Sequence, residues 1–222
     1  MNNTNKKIKR GITLPKSISS RIEFKRKFSL REMYRAVVFA PRAMSKLIGN
    51  KKSKLVDKNF VKRLQLAVTE VNGCAICSYG HAKMALRQGM GREEINSFLS
   101  GGDDFVKIEE AKAILFAQHF ADSRGYPKKY AYDSIVKEYG EEKAQIILSA
   151  AQMMITGNIY GIPFSAFQSR LKGKPYKDSS LFYELKMLII GFLFLPIAIV
   201  NGFIRRFIGL PNERFDKSND GE

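Results

Sequence analysis

The chain contains only two cysteines and two histidines among its 222 residues. Two cysteines cannot form a disulfide scaffold. Hydrophobic content of 45% and charged content of 27% are those of an ordinary globular protein, which argues against disorder in the middle of the chain. The first forty residues lack the continuous apolar run of a signal peptide. We therefore expect a reducing compartment on the cytoplasmic side, where closely spaced cysteines are usually catalytic or metal-binding.

No segment shows the alternation of apolar and polar residues that predicts a β-strand, whereas helical periodicity recurs from Ser29 onward. Ser29 followed by Glu32 is the signature of a capping box at the start of a first helix. Further helices are predicted at 58–71, 74–88, 92–100, 108–123, 130–139 and 141–160. The pattern predicts an all-α fold, a bundle of helical hairpins over residues 29–170.

Acidic residues are scarce, with 21 Asp and Glu against 38 Lys and Arg, and the excess is concentrated towards the ends of the chain. Residues 1–28 contain the single acid Glu23 among nine basic residues. We predict that they form a basic, largely disordered arm that contacts an anionic surface. The arm has little aromatic interleaving and no recognition motif, so nucleic-acid binding is not expected.

A charge-free segment at 187–204 has basic residues on both sides. Eighteen helical residues rise about 27 Å, just under the roughly 30 Å of a bilayer core. A spanning helix, a re-entrant hairpin, an in-plane anchor and a buried core helix all fit this composition. We expect membrane association through this segment, within a C-terminal region at 171–222 that also holds a basic linker and a polar tail.

Both cysteines and one histidine lie between Val71 and His81. On a helix that begins near Cys74, a rotation of about 100° per residue places Cys74, Cys77 and His81 on one narrow face. Thiols at i and i+3 can close a disulfide, and the imidazole one turn further can accept a proton from Cys77.

The helix start favours thiolate at Cys74, whereas His81 favours it at Cys77. The two effects are compatible if the cysteines have different roles, with Cys77 as the attacking thiol and Cys74 as the resolving one. A zinc site of both cysteines, His81 and His119 is a competing interpretation, disfavoured because His119 stands alone on a well-formed helix. Two buried, inert cysteines are a further alternative. We expect neither a metal nor a cofactor.

The stretch LAVTEVNGCAICSYGHAKMALRQGMGREEI closely resembles the core motif of the carboxymuconolactone decarboxylase superfamily, in particular its CxxC branch typified by alkylhydroperoxidase D. The resemblance extends over about residues 35–168. It implies an all-helical fold, assembly as homotrimers or hexamers, and an antioxidant thiol peroxidase (peroxiredoxin) or disulfide reductase activity. It also implies that Cys77 meets the hydroperoxide or disulfide substrate, and that Cys74 resolves it. A lipoyl- or thioredoxin-like dithiol protein would restore the pair.

The sequence departs from that family pattern at two positions. Lys62 stands twelve residues before the first cysteine, where the family commonly has an acid, and Ile76 replaces a histidine between the cysteines. We expect Glu70, the nearest acid, to take the place of the missing one. Two alternatives remain open, a lactone decarboxylase that does not use the cysteines and a non-catalytic, membrane-associated assembly module.

Overall fold

The computed structural model describes residues 14–216, and in that range the chain forms nine helices and no strand. The helices are α1 Lys16–Ser19, α2 Leu30–Ser53, α3 Lys58–Asn72, α4 Ala75–Arg87, α5 Arg92–Leu99, α6 Ile108–Asp122, α7 Lys129–Tyr139, α8 Glu141–Leu171 and α9 Leu181–Phe207. The predicted all-α fold is confirmed.

The central element of the fold is α8, which contacts α2, α3, α4, α6, α7 and α9. Its buried residues occur on all sides, as expected of a helix enclosed by others. The core around it contains Leu64 and Leu66 of α3, Ala117 of α6, and Ile147 and Ile159 of α8, all at most 1% exposed. This packing places α3, α4 and α8 side by side.

Local signals account for where the early helices begin. Ser29 and Glu32 form the predicted capping box at the start of α2. The Asp57 carboxylate accepts hydrogen bonds from the backbone N–H groups of Asn59 and Phe60 and so caps α3. Most predicted boundaries agree with the observed ones to within one or two residues.

The predicted end of α8 at residue 160 is wrong, because the helix continues to Leu171 with Pro163 inside it. Proline removes one backbone hydrogen bond from a helix. Here the segment after Gly161 packs on α4, where the hydroxyl of Ser165 accepts a hydrogen bond from the backbone N–H of Ile76 at 3.3 Å. Tertiary contacts outweigh the local tendency to end the helix.

The N-terminal arm is more ordered than predicted over its described part, residues 14–28. Ile18 and Phe28 are only 4% and 2% exposed and belong to the core. Arg26 binds the carboxylate of Asp122 at 2.7 Å and the backbone carbonyl of the same residue. The prediction of disorder is therefore wrong for this part, because two apolar residues anchor the basic segment. The rest of the predicted arm, 1–13, lies outside the described residues.

The apolar C-terminal segment forms one continuous helix, which is not the geometry of a re-entrant hairpin. Small residues of α9, Gly191, Ala198 and Gly202, are buried along the face that packs on α2 and α8. The opposite face exposes large apolar side chains, among them Ile189, Phe192, Leu193, Ile197, Val200, Phe203 and Phe207. By length and composition α9 is the one candidate membrane span in the described residues.

The contact between α9 and α2 predicts the effect of a substitution at Gly202. A Cβ there would collide with the backbone carbonyl of Val38 and press on Pro41. We expect Gly202→Ala to lower the free energy of unfolding by about 1–3 kcal/mol, as overpacking usually does. Gly49→Ala, in α2 with open space around it, is the matched control and should be neutral or stabilising by up to about 1 kcal/mol. Equal denaturation midpoints for the two variants would contradict the close packing of α9.

Candidate dithiol site

The turn between α3 and α4 presents the cysteine pair. α3 ends at Asn72, and Gly73 adopts φ = 73°, a left-handed conformation that glycine tolerates best. The buried amide of Asn72 donates to the side-chain oxygen of Asn158 on α8 at 3.1 Å, and Asn158 donates to the hydroxyl of Thr69 at 3.2 Å. This buried polar network ties the end of α3 to α8, so the turn has a fixed position.

Cys74 and Cys77 are joined in a disulfide, with their Sγ atoms 2.02 Å apart. Cys74 is the N-cap of α4, and its sulfur accepts a hydrogen bond from the backbone N–H of Cys77 at 3.3 Å. The two sulfurs differ in access, because Cys74 is fully buried whereas Cys77 is partly exposed. A reagent from solvent therefore meets Cys77 first.

α8 covers the disulfide at a glycine. A Cβ at Gly161 would lie 2.5 Å from both Sγ atoms, closer than any real contact allows. One turn earlier, the backbone carbonyl oxygen of Gly157 lies 3.7 Å from Sγ of Cys77. The absence of a side chain at Gly161 is thus what allows α8 to pack directly on the cysteine pair.

A cavity of about 900 Å³ opens beside Cys77, between α2, α3, α4 and α8. Apolar side chains form much of its wall, and Met44, Leu47, Ile48, Val61, Met84 and Met153 are among them. Cys77 and His81 both line it. Its volume lies in the range of sites that hold small organic molecules.

His81 lies one turn after Cys77 on α4, and its Nδ1 is 3.2 Å from Nζ of Lys62. Lys62 is 6% exposed, and its ammonium also donates to the side-chain oxygen of Gln65 at 2.7 Å. Burial, and then the charge of Lys62, lower the pKa of His81 to about 3. Burial lowers the pKa of Lys62 to about 8. His81 is therefore neutral at physiological pH, and its closest charged contact is a cation.

Glu70 makes an ion pair with Lys25, which also donates to the Glu70 backbone carbonyl. It is not among the described residues that line the cavity, whereas Cys77 and His81 are. His119 also lies elsewhere, where its Nε2 accepts a hydrogen bond from the backbone N–H of Lys128 at 3.0 Å.

The sequence did not indicate that three residues of α8 help to form the site. Gly157, Asn158 and Gly161 lie eighty or more residues after the cysteines, and no spacing rule links them to the motif. In the sequence, Lys62 was notable only because it occupies the position where the family commonly has an acid. Lys62 and His81 are nineteen residues apart and lie on different helices, so only the packing of α3 against α4 reveals their contact.

A helical body that presents a Cys-x-x-Cys pair at the start of one helix, with a histidine one turn later, is a helical dithiol domain. Residues 42–118 match the model of the carboxymuconolactone decarboxylase family. The match confirms the resemblance inferred from the sequence, and the Cys74–Cys77 pair fits the CxxC branch that includes alkylhydroperoxidase D. No curated protein and no solved structure shows significant similarity to the chain.

The close packing of Gly161 on the disulfide predicts the effect of a substitution at this position, and Gly157 on the same helix provides a control. We expect Gly161→Ala to lower the free energy of unfolding of the oxidised protein by about 1–3 kcal/mol, because its methyl group would overlap both sulfurs. Gly157→Ala lies one turn away on the same helix with nothing within 4 Å of its Cβ, and should be neutral or slightly stabilising. Urea denaturation of the two oxidised variants measures the difference. Identical midpoints would show that α8 does not press on the pair.

Proposed function

We propose that the protein is a thiol oxidoreductase that reduces hydroperoxides or disulfides through Cys77 and Cys74. The observation that carries this proposal is the unequal access of two sulfurs at bonding distance. Cys77 borders the cavity, and Cys74 is buried behind it. That arrangement suits an attacking thiol and a resolving thiol respectively.

With a hydroperoxide, the thiolate of Cys77 attacks one peroxide oxygen, so that an S–O bond forms as the O–O bond breaks. The leaving alkoxide takes a proton and departs as an alcohol. The thiolate of Cys74 then attacks the sulfenic acid at Cys77, and an S–S bond forms as hydroxide leaves and is protonated to water. A dithiol reductant, of the lipoyl- or thioredoxin-like kind, returns two electrons and two protons and is itself oxidised to a disulfide.

The apolar wall of the cavity favours an organic hydroperoxide over hydrogen peroxide as the proposed substrate. Methionine, leucine and isoleucine side chains form much of the wall beside Cys77, and burying an apolar group against such a wall is favourable. An alkyl hydroperoxide would place its apolar part against these residues and its peroxide group at the sulfur.

We also propose that the protein forms a homo-oligomer, a trimer or a hexamer, as the family resemblance implies. Neighbouring copies would then lie near this cavity.

Removal of each sulfur tests the roles separately. Cys77→Ser should abolish consumption of cumene hydroperoxide in the presence of dihydrolipoamide. Cys74→Ser should still react once with the peroxide and leave a sulfenic acid at Cys77, visible by mass spectrometry as one added oxygen. Unchanged turnover in Cys77→Ser would contradict the proposal. Turnover of a carboxymuconolactone that resists thiol alkylation would favour the decarboxylase instead.

We also propose that α9 attaches the protein to a membrane, on the cytoplasmic side. One face of α9 is fixed to α2, while the other exposes bulky apolar side chains over its length. α2 carries Arg31, Arg35 and Lys46, and a bilayer crossing by α9 would take these charges with it at high cost. An in-plane position, with only the exposed face among lipids, avoids that cost.

Flotation with vesicles of phosphatidylcholine and phosphatidylglycerol tests this attachment. Wild-type protein should float with the vesicles, and Phe192→Glu combined with Phe203→Glu should reduce the bound fraction strongly, because both side chains are more than half exposed on α9. Leu171→Glu is the control, since Leu171 is an exposed apolar residue at the end of α8. Failure of the wild type to float, or an equal loss in the control, would contradict the attachment.

A further inference from the structure

Lys62 is a buried cation that lines the same cavity as the proposed reactive thiol. Its Nζ contacts Nδ1 of His81 and the side-chain oxygen of Gln65, and among the described residues no carboxylate forms an ion pair with it. Of the other charged residues that line this cavity, only Asp57 is acidic, and its carboxylate caps α3. The remaining ones, Lys51, Lys54 and Lys58, are exposed cations. A buried charge that forms no ion pair is costly, so its presence here needs a physical reason.

The contact with Lys62 fixes the state of His81. An ammonium group can only donate hydrogen bonds, so Nδ1 of His81 must accept and the ring proton must be on Nε2. His81 then faces the cavity as a neutral donor. This differs from the expectation that His81 accepts the proton of Cys77, because the imidazole has its free lone pair committed to Lys62.

We propose that Lys62 is the positioning residue of this site and that it provides, through neutral His81, both the charge that stabilises the Cys77 thiolate and the proton that the leaving group takes. The inference rests on the thiol chemistry proposed above. Before reaction, Nε2–H of His81 donates to the thiolate, and the Lys62 ammonium donates to Nδ1. As the O–O bond breaks, Nε2–H is transferred to the alkoxide and Nδ1 takes a proton from Lys62. The products are an alcohol, a sulfenic acid at Cys77, His81 with its proton on Nδ1, and a neutral Lys62. The site is restored when Nε2 of His81 takes a proton from solvent and Nδ1 returns its proton to Lys62.

This arrangement predicts a characteristic pH dependence. Burial lowers the pKa of Lys62 to about 8, so the lysine can release a proton near neutral pH. As pH rises through that value, Lys62 loses the charge and the proton that the reaction uses, and the rate should fall. A thiol without such a partner becomes more reactive as pH rises, because more of it is thiolate. The rate therefore falls with rising pH if Lys62 has this role, and rises with pH if it does not.

The first test reads the His81 ring without any turnover. In oxidised protein labelled with ¹⁵N-histidine, the His81 signals should show an Nε2–H tautomer throughout the neutral pH range. A His119→Gln variant assigns the two histidines. A proton on Nδ1 in the wild type, or an imidazolium at neutral pH, would overturn the proposal. Because this measurement needs neither peroxide nor thiol, it can fail or succeed independently of the proposed activity.

The second test compares Lys62→Met with Lys83→Met. Methionine is unbranched like lysine and suits a buried position, while Lys83 is an exposed lysine on α4 outside the cavity. We expect Lys62→Met to raise the pKa of the Cys77 thiol, measured as the pH dependence of iodoacetamide alkylation in a Cys74→Ser background. In the otherwise wild-type chain, Lys62→Met should slow peroxide reduction about 100-fold and remove the alkaline fall. Lys83→Met should change neither. An unchanged thiol pKa or a retained alkaline fall in Lys62→Met would overturn the role of Lys62.

Discussion

The direct packing of α8 on the turn between α3 and α4 is the contact on which the candidate site depends. Gly161 lets the backbone of α8 meet both sulfurs, Asn158 ties α8 to Asn72, and Ser165 accepts from the first turn of α4. These three contacts occupy little more than two turns of one helix. They bury Cys74, leave Cys77 at the cavity wall, and explain why α8 continues past Pro163.

α2 links the cavity and the apolar face of the molecule. Its first half packs along α9, where Gly191 and Gly202 allow close approach. Its second half supplies Met44, Leu47 and Ile48 to the wall of the cavity. The helix that packs on the proposed lipid-facing helix α9 therefore also forms part of the proposed substrate wall. This gives the proposed attachment a physical relation to the proposed chemistry.

The charges around the dithiol depart from the family pattern in a coherent way. A carboxylate beside a histidine favours the imidazolium, whereas Lys62 beside His81 favours the neutral ring. In this protein the positive charge therefore lies on the lysine rather than on the histidine. Glu70, expected from its sequence position to replace the missing acid, is instead paired with Lys25 of the N-terminal segment. How Glu70 affects turnover remains a prediction.

The sequence by itself determined the helices, their caps and the shared face of Cys74, Cys77 and His81, because these depend on neighbours within four residues. It also indicated the family, since the motif is continuous. Only the tertiary structure decided which sulfur is buried, that Lys62 meets His81, that α8 passes Gly161 without a break, and that residues 14–28 pack on the core. Those features join residues distant in the chain, and they depend on how helices pack rather than on local periodicity.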